Sequence, residues 1–183
     1  MPSTIKTYAV VITFPENIDT LINKLLANYE EYMRHDIVPH MTLIYPFTPV
    51  FSLYRLYEAL EKVAKATPPI EITLNRIKYF EGENNVAYAA LEHRQTVKKL
   101  HIDLMKALEG LIKERAIDSR FILERFMPHV TLASRIPDDI FPELQLKLSR
   151  FHLHYTNQIT EFSLFSEVEG AWQRKRAFEL TGK

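Results

Sequence analysis

Two histidine–threonine pairs stand out by their spacing. His40 and Thr42 are separated by one residue, and so are His129 and Thr131. The flanking residues repeat too. Pro39-His40-Met41-Thr42-Leu43 and Pro128-His129-Val130-Thr131-Leu132 differ only at the third position, which is apolar in both. Suppose the two histidines face each other across a narrow gap. A phosphate fits between them, held by the two threonine hydroxyls as donors. Displacement at phosphorus runs in line, with the attacking and leaving oxygens on opposite sides. One imidazole can take a proton from the attacking oxygen while the other gives one to the leaving oxygen. An ordinary pKa of about 6.5 suits histidine to both roles. The threonines would also stabilise charge on the non-bridging oxygens. His-x-Thr is not a metal-ligand spacing and no acidic cluster accompanies it, so no metal and no cofactor are expected.

The elements that must position these groups can be read around them. Each pair lies in an apolar run, Val38 to Phe47 and Phe126 to Ile136, of the kind that forms a strand. Side chains alternate faces along a strand, so imidazole and hydroxyl share one face, about 7 Å apart along the backbone. A leading proline suits the first strand position, where a missing N–H is tolerated. Tyr8 to Phe14 reads as a central strand and Pro15 ends it. A helix follows, with Asn17 or Asp19 as cap and Leu21, Ile22, Leu25, Leu26 and Tyr29 on its buried stripe. After the first motif comes a helix capped by Ser52. Then come a strand Ile70 to Phe80, a turn at Glu81 to Asn85 and a strand Val86 to Leu91, a predicted hairpin. A third helix is predicted from about Thr96 to Arg115, and a loop with Asp118 and Ser119 leads to the second motif. Pro137-Asp138-Asp139 resembles a helix start. Phe151 to Tyr155, Ile159 to Phe165 and Ala177 to Leu180 read as strands.

A longer repeat emerges. Strand, amphipathic helix, then Pro-His-x-Thr-Leu occurs twice. This predicts a duplicated fold of two lobes, in one domain spanning 1–183, with equivalent strands facing across a pseudo-twofold cleft. Such an arrangement would let residues 89 positions apart meet over one ligand.

Composition sets outer limits. Of 183 residues, 46% are hydrophobic and 25% charged, enough for a sizeable core. The 23 basic and 23 acidic residues cancel, which argues against a large non-specific nucleic-acid footprint. There is no cysteine, which removes disulfides, thiolate metal sites and cysteine nucleophiles and suits a reducing cytosol. The first residues lack the apolar core of a signal peptide, and no run approaches the 18 apolar residues of a membrane span. A cytoplasmic monomer with no membrane partner is expected.

With its doubled motif, and Tyr45-Pro46-Phe47 after the first copy, the chain resembles the 2H phosphoesterase superfamily. The resemblance is to its bacterial 2'-5' RNA ligase-like branch, which includes RNA 2',3'-cyclic phosphodiesterases. It implies an α+β bilobal fold, two antiparallel sheets flanking a central cleft with helices outside. It implies that His40 and His129 are catalytic and that Thr42 and Thr131 bind the substrate phosphate. It further implies a nucleotide or RNA-end partner: a 2',3'-cyclic phosphate, a 2'-5' linked oligonucleotide or a cyclic ADP-ribose phosphate. Ring opening as in those phosphodiesterases would make His40 the acid on the leaving 3'-oxygen and His129 the base on water. A module that binds such a nucleotide without turning it over would use the same motifs.

Tyr45 and Phe47 are candidate substrate contacts. Many family members place a basic residue soon after the second leucine, whereas here Ala133-Ser134 precede Arg135. Strand parity puts Arg135 on the face of His129 and Thr131, about 20 Å from His129, as a candidate contact to a second phosphate. Phe47, Phe80, Tyr88 and Trp172 could stack a base, although core filling is the commoner use of any one. His101 falls on the stripe of the third helix and reads as a satisfied core residue. His152 and His154 share a predicted strand face, but with no third ligand in view a solvated face outweighs a zinc site. Arg174-Lys175-Arg176 is the densest basic cluster.

Overall fold

The two apolar runs that begin the repeat units become neighbours of the motif strands in two separate sheets. The computed structural model describes residues 6–33, 37–114 and 123–183. Along them run β1 (Tyr8–Thr13), α1 (Glu16–Leu25), β2 (His40–Pro49), α2 (Leu53–Ala66), β3 (Ile70–Phe80), β4 (Asn85–Leu91) and α3 (Gln95–Leu108). There follow β5 (Ile112–Glu114), β6 (His129–Ile136), α4 (Phe141–Ser149), β7 (Tyr155–Ile159), β8 (Glu161–Val168) and β9 (Ala171–Glu179). One sheet has the order β5-β2-β1-β8-β9 and the other β6-β4-β3-β7, and the strand pairs are antiparallel. The predicted α+β architecture of two antiparallel sheets with accompanying helices is therefore what the chain adopts.

The two motif strands occupy matching places. β6 is the edge strand of its sheet. Among the described residues β2 is an edge strand along its motif, because β5 pairs with it at Phe47 to Pro49. β2 and β6 come into contact with each other, so the two sheets approach along their motif edges. One apolar core runs through both halves, from Val10, Leu43 and Leu164 in the first sheet to Leu74, Ala89 and Val130 in the second. Helical stripes seal it: Ile18, Ile22 and Leu25 from α1, Leu56 and Leu60 from α2, Val97, Leu100 and Leu104 from α3, and Leu144 and Leu148 from α4.

Several local expectations change. Neither Asn17 nor Asp19 caps α1, because the helix starts one residue after Pro15, which takes the cap position itself. Ser52 holds the cap position of α2 without a side-chain bond. α3 stops at Leu108, not Arg115: Gly110 adopts φ +72, where a residue without Cβ is at ease, and Ile112 to Glu114 turn into β5. Asp118 and Ser119 lie outside the described residues. Phe151 to His154 is not a strand, since β7 begins only at Tyr155, and the last strand begins at Ala171, six residues before the apolar run that announced it. Its first residues are largely polar and exposed, as an edge strand allows.

Candidate active site

The motif strands share more than sequence. Opposite β1, Val11 pairs with Thr42 and Val10 with Ile44, so Leu43 is an extra residue. Opposite β4, Tyr88 pairs with Thr131 and Ala87 with Ala133, so Leu132 is an extra residue. A second irregularity follows at the same distance. Tyr8 pairs with Phe47, leaving one surplus residue between Ile44 and Phe47, and Asn85 pairs with Ile136, leaving Arg135 surplus. Burial matches position by position over these eight residues, except that Pro46 is half-buried and Arg135 exposed. The duplication thus extends to two β-bulges per strand.

Each bulge reverses the inside-outside alternation beyond it. His40 and Thr42 therefore share the face of Ala9 and Val11, away from the main core, and Tyr45 lines the same cavity while also packing against that core. His129, Thr131 and Ser134 share the face of Tyr88 and Ala90. This corrects two sequence readings. Arg135 does not continue the face of His129 and Thr131, since Ser134 does, and Arg135 is the bulge residue itself with φ +57. Phe47 is fully buried against Tyr8, with ring centroids 6.3 Å apart, and cannot stack on a ligand.

Both histidines are held the same way. His40 Nδ1 lies 2.9 Å from the Val38 carbonyl and His129 Nδ1 lies 2.7 Å from the Met127 carbonyl, each two residues upstream. A carbonyl oxygen only accepts, so Nδ1 carries the hydrogen and donates. In the neutral ring this leaves Nε2 as the unprotonated nitrogen in both motifs.

Their surroundings differ. Phe80 and Tyr88 stack on each other at 4.2 Å, and both present themselves edge-on to His129 at 5.3 and 5.2 Å. Burial in this enclosure pushes the His129 pKa down, against the smaller opposite effect of the Met127 carbonyl. His40 and Thr42 instead line a cavity of about 130 Å³, walled by Val11, Ile37, Tyr45 and Trp172. A smaller adjoining cavity of about 20 Å³ brings His40 together with Thr131 of the other motif. His129 lines neither cavity. Burial pushes the Tyr45 phenol up to about 12, so it stays neutral.

The remaining candidates have other duties. Arg174 pairs with Glu161, and Arg176 pairs with Glu61 at 2.9 Å while lying over the Tyr57 and Phe178 rings. His152 and His154 are exposed and precede β7. Trp172 is one of the four aromatic residues that the sequence offers as base-stacking candidates. Its place in the cavity wall follows from the pairing of Glu167 with Trp172 across β8 and β9. Ile37 carried no signal at all.

The model of the 2'-5' RNA ligase superfamily matches residues 14–171. The chain belongs to that family. Its curated relatives include proteins of Geobacillus kaustophilus and Geobacillus thermodenitrificans that carry a phosphoesterase name. They are 26% and 27% identical over 178 residues, 96% of this chain and 97% of each relative. The fold is similar to that of a Thermus thermophilus protein, with a TM-score of 0.67, 19% identity and coverage of 97% and 99% of the two chains. It is also similar to Escherichia coli LigT complexed with 3'-AMP, with a TM-score of 0.63, 17% identity and coverage of 97% and 99%. The expected 2H phosphoesterase membership stands, and phosphoester chemistry is the family's activity. No helix of the described residues is long and apolar enough to cross a membrane.

Proposed function

We propose that the chain is a metal-independent phosphodiesterase that opens a 2',3'-cyclic phosphate, or cleaves a 2'-5' linkage, at a nucleotide or RNA end. The observation that carries this reading is the matched pair of motif strands. Each offers an Nε2 fixed by the same upstream carbonyl bond, with a threonine hydroxyl beside it. Thr42 and Thr131 donate to the non-bridging phosphate oxygens. His129, in its aromatic enclosure, arrives neutral and takes the proton of the attacking water. The new P–O bond forms as the P–O3' bond breaks, and protonated His40 delivers its Nε2 proton to the departing 3'-oxygen. The product is a 2'-phosphate. The nucleoside lies in the cavity beside His40, against Tyr45 and Trp172, and a nucleotide is also the kind of ligand with which Escherichia coli LigT was crystallised.

The test is hydrolysis of nucleoside 2',3'-cyclic phosphates and 2'-5' dinucleotides in EDTA. His40→Ala and His129→Ala should each lose at least ~10²-fold in kcat, and the double variant little more, because the pair acts as a unit. Activity that survives either change, or that chelation abolishes, refutes the mechanism. Tight binding without turnover across the panel makes the chain a binding module instead.

A further inference from the structure

His101 is buried in α3 and is used by neither motif. Its Nδ1 lies 2.6 Å from the Leu43 carbonyl, and its Nε2 accepts the Leu123 amide at 2.8 Å. One ring nitrogen donates and the other accepts, so the neutral Nδ1–H form satisfies both partners at once. The ring also stacks on Phe126, 4.0 Å between centroids and 10° from parallel.

The positions of these three partners matter. Leu43 follows Thr42 and is the bulge residue of the first motif strand. Phe126 immediately precedes Met127, whose carbonyl holds His129. Leu123 opens the short helical turn that leads into the second motif strand. We infer that His101 is a positioning residue that clips the bulge of the first half-site to the approach of the second. It thereby fixes the spacing between the two catalytic histidines. This rests on the two-histidine reading above.

The chemistry of the clip is specific. Phenylalanine could keep the stack but would leave the buried Leu43 carbonyl without this partner, a costly arrangement, and give the half-exposed Leu123 amide up to solvent. Glutamine carries a donor and an acceptor on one planar group and can serve both. A protonated imidazole cannot, since it would turn an N–H toward the Leu123 N–H. Burial and the nearby Lys98 ammonium both favour the neutral ring and outweigh the Leu43 carbonyl. Glu124 and Arg125, in the same turn as Leu123, are exposed.

The experiment compares His101→Phe with His101→Gln in the full chain. Three readouts apply: kcat and KM on a 2',3'-cyclic nucleotide, hydrogen exchange of the Leu123 amide, and the ring-nitrogen NMR shifts of His40 and His129 during titration with inorganic phosphate. The expected result for His101→Phe is exchange at Leu123 at least ~10-fold faster and altered His129 ring shifts. Its kcat should fall about 10- to 100-fold with KM nearly unchanged, the order expected for misplacing a catalytic group by about 1 Å. His101→Gln should recover most of both. A folded His101→Phe protein with native kcat, or with native Leu123 exchange and native His129 shifts, overturns the inference. Should His101→Phe fail to fold, a His101→Gln protein that folds yet keeps neither the Leu123 protection nor the His129 shifts overturns it equally. If the unmutated chain turns over none of the substrates, the proposed function fails, while the exchange and ring shifts still judge the clip.

Discussion

At the residue scale, the two histidines are alike in tautomer and unlike in environment. That difference makes a prediction about pH. In the proposed mechanism the neutral form of His129 is the base, and burial lowers its pKa below the ordinary value near 6.5. The acid limb of kcat/KM should therefore fall below pH 6.5, because a depressed pKa keeps the base deprotonated further into acid. Phe80→Ala opens one wall of the enclosure to water and restores part of the ordinary affinity for a proton. Its acid limb should shift upward, with the loss of rate larger at pH 5.5 than at pH 7.5. A limb that stays in place would show that the Phe80 and Tyr88 rings do not control the base. The motif residues themselves were legible in the sequence because they repeat. The Phe80–Tyr88 enclosure was not, since aromatic residues in strands announce only that something will be packed, not against what.

At the element scale, the strands were legible wherever apolar residues were continuous. Tyr8 to Thr13 and Asn85 to Leu91 lie close to where those runs placed them. What composition could not show was register. A bulge inserts one residue with no change in hydrophobicity, yet it moves every later side chain to the opposite face. This is why Tyr45 lines the cavity of His40, why Phe47 turns into the core, and why Arg135 leaves the face assigned to it. The bulge at Arg135 is also strained, since φ +57 suits glycine better than arginine. Arg135→Gly should hold or raise stability, by up to ~1 kcal/mol. Arg135→Val should lower it by about 1–3 kcal/mol, because a β-branched residue tolerates that backbone poorly. Denaturant midpoints measure both. Equal effects from the two substitutions would mean that the strand relaxes its bulge freely.

At the scale of the whole molecule, one core spans both sheets, and surface contacts join the halves as well. The Tyr29 hydroxyl donates to Glu143 of α4, Lys147 lies over the Tyr29 ring, and the Tyr155 hydroxyl donates to Asn17 of α1 at 3.2 Å. The exposed pairs contribute little, so the shared core should govern unfolding. Heat should melt the chain in a single transition with matching calorimetric and van't Hoff enthalpies, and two resolved transitions would mean that each half folds alone. The end of the chain is drawn in too. The amides of Thr181 and Gly182 reach the carbonyls of Ala64 and Thr67 at the close of α2. A Cβ on Gly182 would stand 2.6 Å from the Ala66 backbone. Gly182→Ala should therefore lower the melting temperature, at a cost of about 1–3 kcal/mol, whereas an alanine accommodated without loss would show the tail to be loosely held. Finally, the chain has a single tryptophan, and Trp172 stands in the wall of the cavity beside His40. Its emission is consequently a built-in optical probe. Any molecule that enters next to the first half-site must alter the polarity around that indole, so occupancy can be followed in the unlabelled protein.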